Sequence, residues 1–244
     1  MAMTLGSESL ELHFPESAEV PESTWHLRLR TTVYLFLKHA FESVAIIGSD
    51  QFVYWDPTNP RACLAPDAFV RFGSKNEDFG SWKAWERGAP HVAVEIISDS
   101  DADDASWQEK LERYGHLGVS ELVRFDYQTP EQPLRIWDFV GDDLLERRLF
   151  EQWAQSRHLG GYWLPVEAAN GDLSLRLSRD EHGLQLFPTP EEYYARERAR
   201  EAEGRHREAE ARQREAEGRQ REAEALRAAE RRIAELEAEL RRRS

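Results

Sequence analysis

Two carboxylates and one ammonium in this 244-residue chain could share a reaction. Glu95 stands in the middle of His91-Val92-Ala93-Val94-Glu95-Ile96-Ile97, an otherwise apolar run between Pro90 and the acidic stretch Ser98-Asp99-Ser100-Asp101. Runs of this kind form strands buried on both faces. Burying an ionised carboxylate there without a partner costs on the order of several kcal/mol. A salt bridge, a proton or a metal must therefore hold Glu95. Asp67 follows Pro66 at the head of the alternating run Asp67-Ala68-Phe69-Val70-Arg71-Phe72. Lys110 falls in a segment, about Asp104 to His116, that reads as a helix. There Trp107, Lys110, Leu111 and Tyr114 share one face, because steps of three and four return to the same side. Glu109, Glu112 and Arg113 point elsewhere.

Each residue alone has a plainer reading. Asp67 after proline suits a turn, Glu95 suits a partnered core acid, and a lone Lys110 on a packed face suits snorkelling to water. Together they place two carboxylates and an ammonium on neighbouring elements of one sheet. Two hard oxygen ligands suit Mg²⁺ or Mn²⁺. A nearby lysine can orient an attacking water and stabilise charge building on phosphorus.

The elements that must position these groups follow in order. Residues 1–21 carry Pro15 and Pro21 with no clear period and read as a loose lead-in. A helix capped by Ser23 runs to about Phe41, with Trp25, Leu29, Val33, Phe36 and Ala40 on its packed stripe and His26 at its edge. Val44 to Ile47 and Gln51 to Trp55 read as strands of a hairpin turning at Gly48-Ser49-Asp50. Residues 56–66 read as a loop, 73–90 as an insert. Glu121 to Tyr127 is a further strand. Leu134 to Val140 and Leu144 to Phe150 suggest a hairpin at Gly141-Asp142-Asp143. Short runs at Tyr162 to Val166, Leu173 to Leu177 and Leu184 to Phe187 suggest a β flap. The order is helix, three strands, helix, strand, an α/β or α+β sheet with helices packed on it.

Charge and composition divide the chain near residue 190. Residues 191–244 hold 15 acids and 15 bases of the chain's 46 and 32, leaving 31 against 17 in residues 1–190, which carry the whole −14. So acidic a body binds polyanions poorly overall, because that affinity comes from Lys and Arg displacing counterions. A nucleic acid must therefore meet a local groove, helped by metal. Residues 200–227 repeat every seven, with Glu201–Arg205, Glu203–Arg207 and Glu208–Arg212 in the favourable i,i+4 order. Only Leu226, Ala229, Ile233, Leu236 and Leu240 supply an apolar a/d seam. Gly204 and Gly218 each weaken the helix by roughly 1 kcal/mol. The tail thus reads as a charged helix with a weak dimeric coiled coil in its last third. A single cysteine, Cys63, excludes an internal disulfide and a Cys-rich zinc site. With no membrane-spanning apolar run and no signal-peptide pattern, the cytoplasm is the expected compartment and no membrane the expected partner.

Pro66-Asp67, Val94-Glu95-Ile96-Ile97-Ser98-x-Ser100, Lys110, Tyr114, Gly118-Val119-Ser120-Glu121-Leu122 and Asp126 together resemble the Uma family of endonucleases, within the PD-(D/E)XK nuclease superfamily. The resemblance covers roughly residues 20–190. It implies a restriction-endonuclease-like core, extended here by C-terminal β hairpins and a long charged helix. It also implies divalent-metal-dependent hydrolysis of DNA phosphodiester bonds, with Mg²⁺ or Mn²⁺ on Asp67, Glu95 and the Ile96 backbone carbonyl. The superfamily's lysine usually stands two residues after the glutamate. Ile97 is there, and in Uma-like proteins the lysine comes from the following helix, which matches Lys110. The resemblance places an acid of the first helix near such sites, matched by Glu22 with His26 close to it, and adds Tyr114. Two positions depart from the pattern: Asp101 where Thr is usual, and Ser106 where an acid precedes the lysine by one turn.

Asp99, Asp101 and Asp103 imitate the opening of an EF-hand calcium loop, but Asp104 replaces the glycine of its sixth position and Lys110 the glutamate of its twelfth. Capping of the second helix by Asp103 or Asp104 explains these acids better. Three functional readings follow in order of preference. The first is an endonuclease acting on DNA held in a local groove, with domains at 1–21, 22–189 and 190–244. The second is a catalytically weak or inactive nuclease fold that binds nucleic acid or protein. In the third the tail is the functional part, an oligomeriser or partner-binding rod. A homodimer through the core or the C-terminal helix is compatible with each.

Overall fold

The computed structural model describes residues 23–73, 78–97, 104–167 and 171–243. Among them the elements run α1 (Thr24–Phe41), β1 (Ala45–Gly48), β2 (Val53–Tyr54), β3 (Cys63–Leu64), β4 (Ala68–Phe72), β5 (Trp82–Lys83), α2 (Ala84–Arg87), β6 (Val92–Ile96) and α3 (Asp104–Leu117). There follow β7 (Glu121–Phe125), β8 (Leu134–Val140), β9 (Asp143–Glu146), β10 (Ala154–Gln155), β11 (Tyr162–Glu167), β12 (Leu173–Ser178) and α4 (Pro190–Arg243). Two compact units result, Met1–Pro190 and Glu191–Ser244.

The first unit is built on a six-stranded sheet of order β1-β4-β6-β7-β8-β9. Strands β1, β4 and β6 pair antiparallel, while β6 and β7 run parallel with α3 between them in sequence. This is the helix, three strands, helix, strand arrangement that the resemblance implies, as α1, β1, β4, β6, α3 and β7.

Side-chain alternation along β6 decides what each face holds. Val92, Val94 and Ile96 join the core under α1, with its Leu29, Val33, Phe36 and Leu37. Ala93 and Ile97 join the opposite core with Trp107, Tyr114 and Leu117 of α3. With a side-chain period of two, Glu95 falls on the α3 face. Helix α1 starts where the sequence puts it, Ser23 accepting a hydrogen bond from the His26 backbone N–H at 3.1 Å. Helix α3 ends at Gly118, whose φ of 76° suits glycine and whose N–H reaches Tyr114 O at 3.1 Å, launching β7.

Several local expectations fail. Val44–Ile47 and Gln51–Trp55 do not form a hairpin: β1 pairs with β4, and β2 pairs with β3 and β5 in a separate sheet. Gly48 lies so close beneath Phe69 that a Cβ would meet its ring at 2.1 Å, which commits β1 to β4. Two short strands therefore come from segments read as loop and insert, β3 and β5. Leu184 to Phe187 contributes one isolated bridge, Ser178 to Leu186, and no strand. The hairpin at Gly141 does form, but β9 stops at Glu146.

In the second unit, α4 is a single 54-residue helix with Glu201–Arg205 at 3.8 Å and Glu208–Arg212 at 4.0 Å among its exposed pairs. Leu226 and Ile233 stand exposed on it. No described helix is long and apolar enough to cross a membrane.

Candidate active site

The antiparallel register of β4 on β6 pairs Ala68 with Val94. One step further along it sets Asp67 opposite Glu95, so two acids distant in sequence become cross-strand neighbours. Both are buried, Glu95 at 2% exposure and Asp67 at 8%. Asp67 Oδ2 accepts the Ile96 backbone N–H at 2.7 Å. Along the same edge of β6, the Ile96 carbonyl accepts from His26 Nε2 at 2.9 Å, which fixes the proton on that nitrogen, because a carbonyl only accepts. The same His26 nitrogen stands 3.4 Å from Asp67 Oδ2. Helix α1 thus grips β6 and Asp67 through one imidazole.

From the opposite face α3 supplies two groups one turn apart. Lys110 Nζ donates to Glu95 Oε2 at 2.8 Å, and the Tyr114 hydroxyl donates to Glu95 Oε1. The snorkelling alternative for Lys110 therefore fails: its ammonium turns onto a buried carboxylate. Burial pushes the Glu95 carboxyl from 4.5 up to about 7. The Lys110 charge opposes that rise, the Asp67 charge adds to it, and hydrogen bonds from Lys110 and Tyr114 favour the ionised form. Burial, followed by the Glu95 charge, holds the Tyr114 phenol well above its ordinary range, so it remains a donor.

Asp67, Glu95, Lys110, Tyr114, His26 and the Ile96 peptide therefore meet at one end of β6. Glu22 and the loop acids Asp99, Asp101 and Asp103 lie outside the described residues, and the Asp104 side chain is likewise not described. Ile97, at the position where the superfamily's lysine is usual, fills the apolar core beneath α3. Ser106 is a described residue of α3, where the family pattern has an acid.

Two cations escaped the sequence reading. Arg124 is the register partner of Glu95 on β7. Its guanidinium lies over the Trp107 ring at 5.1 Å and 3.3 Å from Asp126. Arg113, read as pointing away from the packed face, donates to the Cys63 carbonyl of β3. Neither was legible, because both depend on which strands become neighbours.

A second acid pair shows what a structural cluster looks like here. Glu121 and Asp138 are register partners on β7 and β8, both buried. Glu121 accepts from Ser156 Oγ, Trp163 Nε1, the Arg157 backbone N–H and Arg147, while Asp138 holds Arg147 through two bonds. Those acids are saturated by fixed donors. Asp67 and Glu95 instead crowd each other beside a lysine, with one side chain on each oxygen of Glu95.

The donor set fits a hard divalent cation: two adjacent carboxylates, plus the Ile96 carbonyl, whose second lone pair is not needed by His26. Among the described residues no group of three or more His, Cys, Asp or Glu side chains could hold a metal on its own. Magnesium does not require one, since it commonly takes one or two carboxylates and completes its shell with waters and substrate phosphate.

The family model described as "Putative restriction endonuclease", Uma2, matches residues 7–167, which is 161 of 244 residues and includes every residue of this cluster. The chain belongs to the Uma2 family. Membership makes it a nuclease, a hydrolase acting on nucleic acid. Restriction-endonuclease-like families generally use divalent metals. Among solved structures, the chain is similar to "a putative nuclease belonging to DUF820" from Anabaena variabilis ATCC 29413, at 11% identity over 58% of this chain and 76% of that one, with a TM-score of 0.42. No curated protein matches the chain.

Proposed function

We propose that this Uma2-family protein is a divalent-metal-dependent endonuclease that hydrolyses phosphodiester bonds of DNA. Asp67 and Glu95 serve as metal ligands with the Ile96 carbonyl, and Lys110 orients the attacking water. The observation that carries this reading is the Lys110–Glu95 contact at 2.8 Å beside Asp67, a cation aimed at one of two crowded acids. A bound Mg²⁺ or Mn²⁺ would polarise the phosphoryl oxygen and acidify its water.

The chain's own groups do the rest. Lys110 carries three N–H donors, enough to hold Glu95 and a water together. It also lends positive charge to a phosphate whose charge grows in the transition state. Tyr114 holds the Glu95 carboxyl in place from the second oxygen. His26 positions Asp67 and the Ile96 peptide from α1. The acidic body confines nucleic-acid contact to a groove around this end of the sheet.

The test is metal-dependent nicking of supercoiled plasmid. Wild-type protein should nick with Mg²⁺ or Mn²⁺ and not in chelator, and Glu95→Ala and Lys110→Ala should each lose the activity. Absence of cleavage across several metals and substrates would count against the reading.

A binding module on the same fold is favoured by one observation: Glu95 already has a partner on each oxygen. Such a module would bind DNA equally with and without Mg²⁺ and be indifferent to Glu95→Gln. For the tail, the exposed Leu226 and Ile233 support pairing with a second copy of α4.

A further inference from the structure

Past the end of β9 the chain reads Arg147-Arg148-Leu149-Phe150-Glu151, with no strand until β10. This stretch, with Trp153 and Arg157, lines a cavity of about 620 Å³. That volume lies within the roughly 300–1,000 Å³ typical of small-ligand sites. Three of the 17 bases of residues 1–190 meet there, in a unit that carries 31 acids.

The three arginines do different work. Arg147 is committed to the buried acids, holding Asp138 through two bonds and Glu121 at 3.3 Å. Arg157 meets Asp138 at 3.2 Å with 61% of its side chain exposed, which leaves several of its five N–H donors to solvent. Arg148 is exposed and has no carboxylate partner among the described residues; its guanidinium lies over the Phe150 ring at 5.1 Å. Phe150 itself is 84% exposed, apolar surface that a stacked ligand would take out of water. With a cation on one face, the ring keeps its other face for a planar partner. Trp153, half-buried and edge-on to Tyr162 at 5.3 Å, supplies a second ring. Two open guanidiniums suit a phosphate, which they can grip with paired N–H donors. The exposed ring suits a base, and Glu151 can accept from an exocyclic amino group.

The cavity stands apart from the acid cluster. Glu121, held by Arg147, begins β7, and Phe125, the register partner of Ile96, ends it four residues later, about 13 Å along the strand. Val123 and Phe125 join the core under α1, so a side-chain period of two puts Glu121 on that face, whereas Glu95 falls on the α3 face. An acidic surface disfavours a long polyanion but tolerates the charge of a single phosphate.

We infer that this cavity binds a free mononucleotide, its phosphate on Arg148 and Arg157, its base against Phe150, with amino-bearing bases favoured by Glu151. The inference stands on the cavity and does not depend on the nuclease reading.

Calorimetry of the full chain in chelator, with adenosine monophosphate as the probe, tests it. Binding should be one-to-one, with adenosine and inorganic phosphate each weaker, since each lacks part of the contacts. Phe150→Ala should weaken the nucleotide roughly 5- to 150-fold, the effect of losing one base stack, and leave phosphate affinity unchanged. Arg148→Gln should weaken both probes roughly 10- to 150-fold. Both side chains are exposed, so neither variant should move the melting curve. No binding of adenosine monophosphate at about millimolar concentration, or equal affinity in wild type and both variants, overturns the site. Binding that Glu95→Gln abolishes and the cavity variants retain overturns it too, by placing the nucleotide at the acid cluster. An oligodeoxyadenylate that binds more tightly than the mononucleotide, and fails in the same variants, overturns the free nucleotide and gives the cavity to a strand. Plasmid nicking in Mg²⁺, measured separately, reports on the nuclease reading alone.

Discussion

The Glu95 carboxyl, pushed up to about 7, changes charge in the range where a nuclease works. Its ordinary value is 4.5, so between 4.5 and about 7 the folded chain binds a proton that the unfolded chain has released. In that window the linkage sign is fixed: stability falls as pH rises. Denaturant melts of the metal-free protein, referenced to Glu95→Gln, should show this decline from about pH 5 to pH 7 and its levelling above. A metal bound at Glu95, as proposed, would displace that proton. Apparent Mg²⁺ or Mn²⁺ affinity should therefore rise by up to about tenfold per pH unit below 7 and flatten above it, as calorimetry would measure. Replacing Lys110 by methionine removes the charge that favours ionised Glu95. The carboxyl should then stay neutral to higher pH, with metal affinity reduced and cleavage lowered by about 10²–10³-fold. Of these groups, the types and the apolar setting of Glu95 were legible in the sequence, and so was Lys110 on the face of Tyr114. Their placement on neighbouring elements was expected from the combined pattern, but the register that sets Asp67 directly opposite Glu95 was not legible, because it depends on how two distant segments pair.

At the level of elements, the two buried acid pairs make opposite predictions. Glu121 and Asp138 are saturated by Arg147, Ser156 and Trp163, joining β7 and β8 to the segment after β9. Arg147→Ala leaves two buried carboxylates short of their cation, which should cost roughly 3–5 kcal/mol of unfolding free energy and leave metal affinity unchanged. Gly118→Ala, at φ 76°, should cost about 1–2 kcal/mol by straining the end of α3. If the same variant also lowered Lys110-dependent activity, α3 would be shown to set the lysine's position. The helices themselves were read closely from their caps and stripes. The hairpin expected at Gly48 gave way to pairing of β1 with β4, where Gly48 is the register partner of Phe69, twenty-one residues away, and lies directly under its ring. β3 and β5 lay unread in a loop and an insert, since two-residue strands carry no period and exist only through their partners.

Across the whole molecule, the net charge and the candidate site both belong to the first unit. The acidic excess belongs to residues 1–190, and the neutral α4 unit exposes Leu226 and Ile233. A long polar helix gains little from its own surface ion pairs, each worth a few tenths of a kcal/mol. Pairing with a second copy through Leu226 and Ile233 would add burial that a lone helix lacks. Light scattering should then give a dimer mass for the full chain and a monomer mass for the Leu226→Asp, Ile233→Asp double variant. A monomer mass for both would remove the tail's role in assembly.

The sequence alone determined the inventory: a helix ending at Phe41, a buried strand carrying one acid, a following helix presenting a lysine and a tyrosine together, and a seven-residue repeat in the tail. These depend on local periodicity and on the cost of burying charge, both properties of short segments. Tertiary structure alone decided that the register sets Asp67 opposite Glu95, that His26 reaches both Asp67 and the Ile96 carbonyl, and that Arg124 is the register partner of Glu95 on β7. Those outcomes come from strand order and register, which depend on how distant segments pack and which no short stretch of chain encodes by itself.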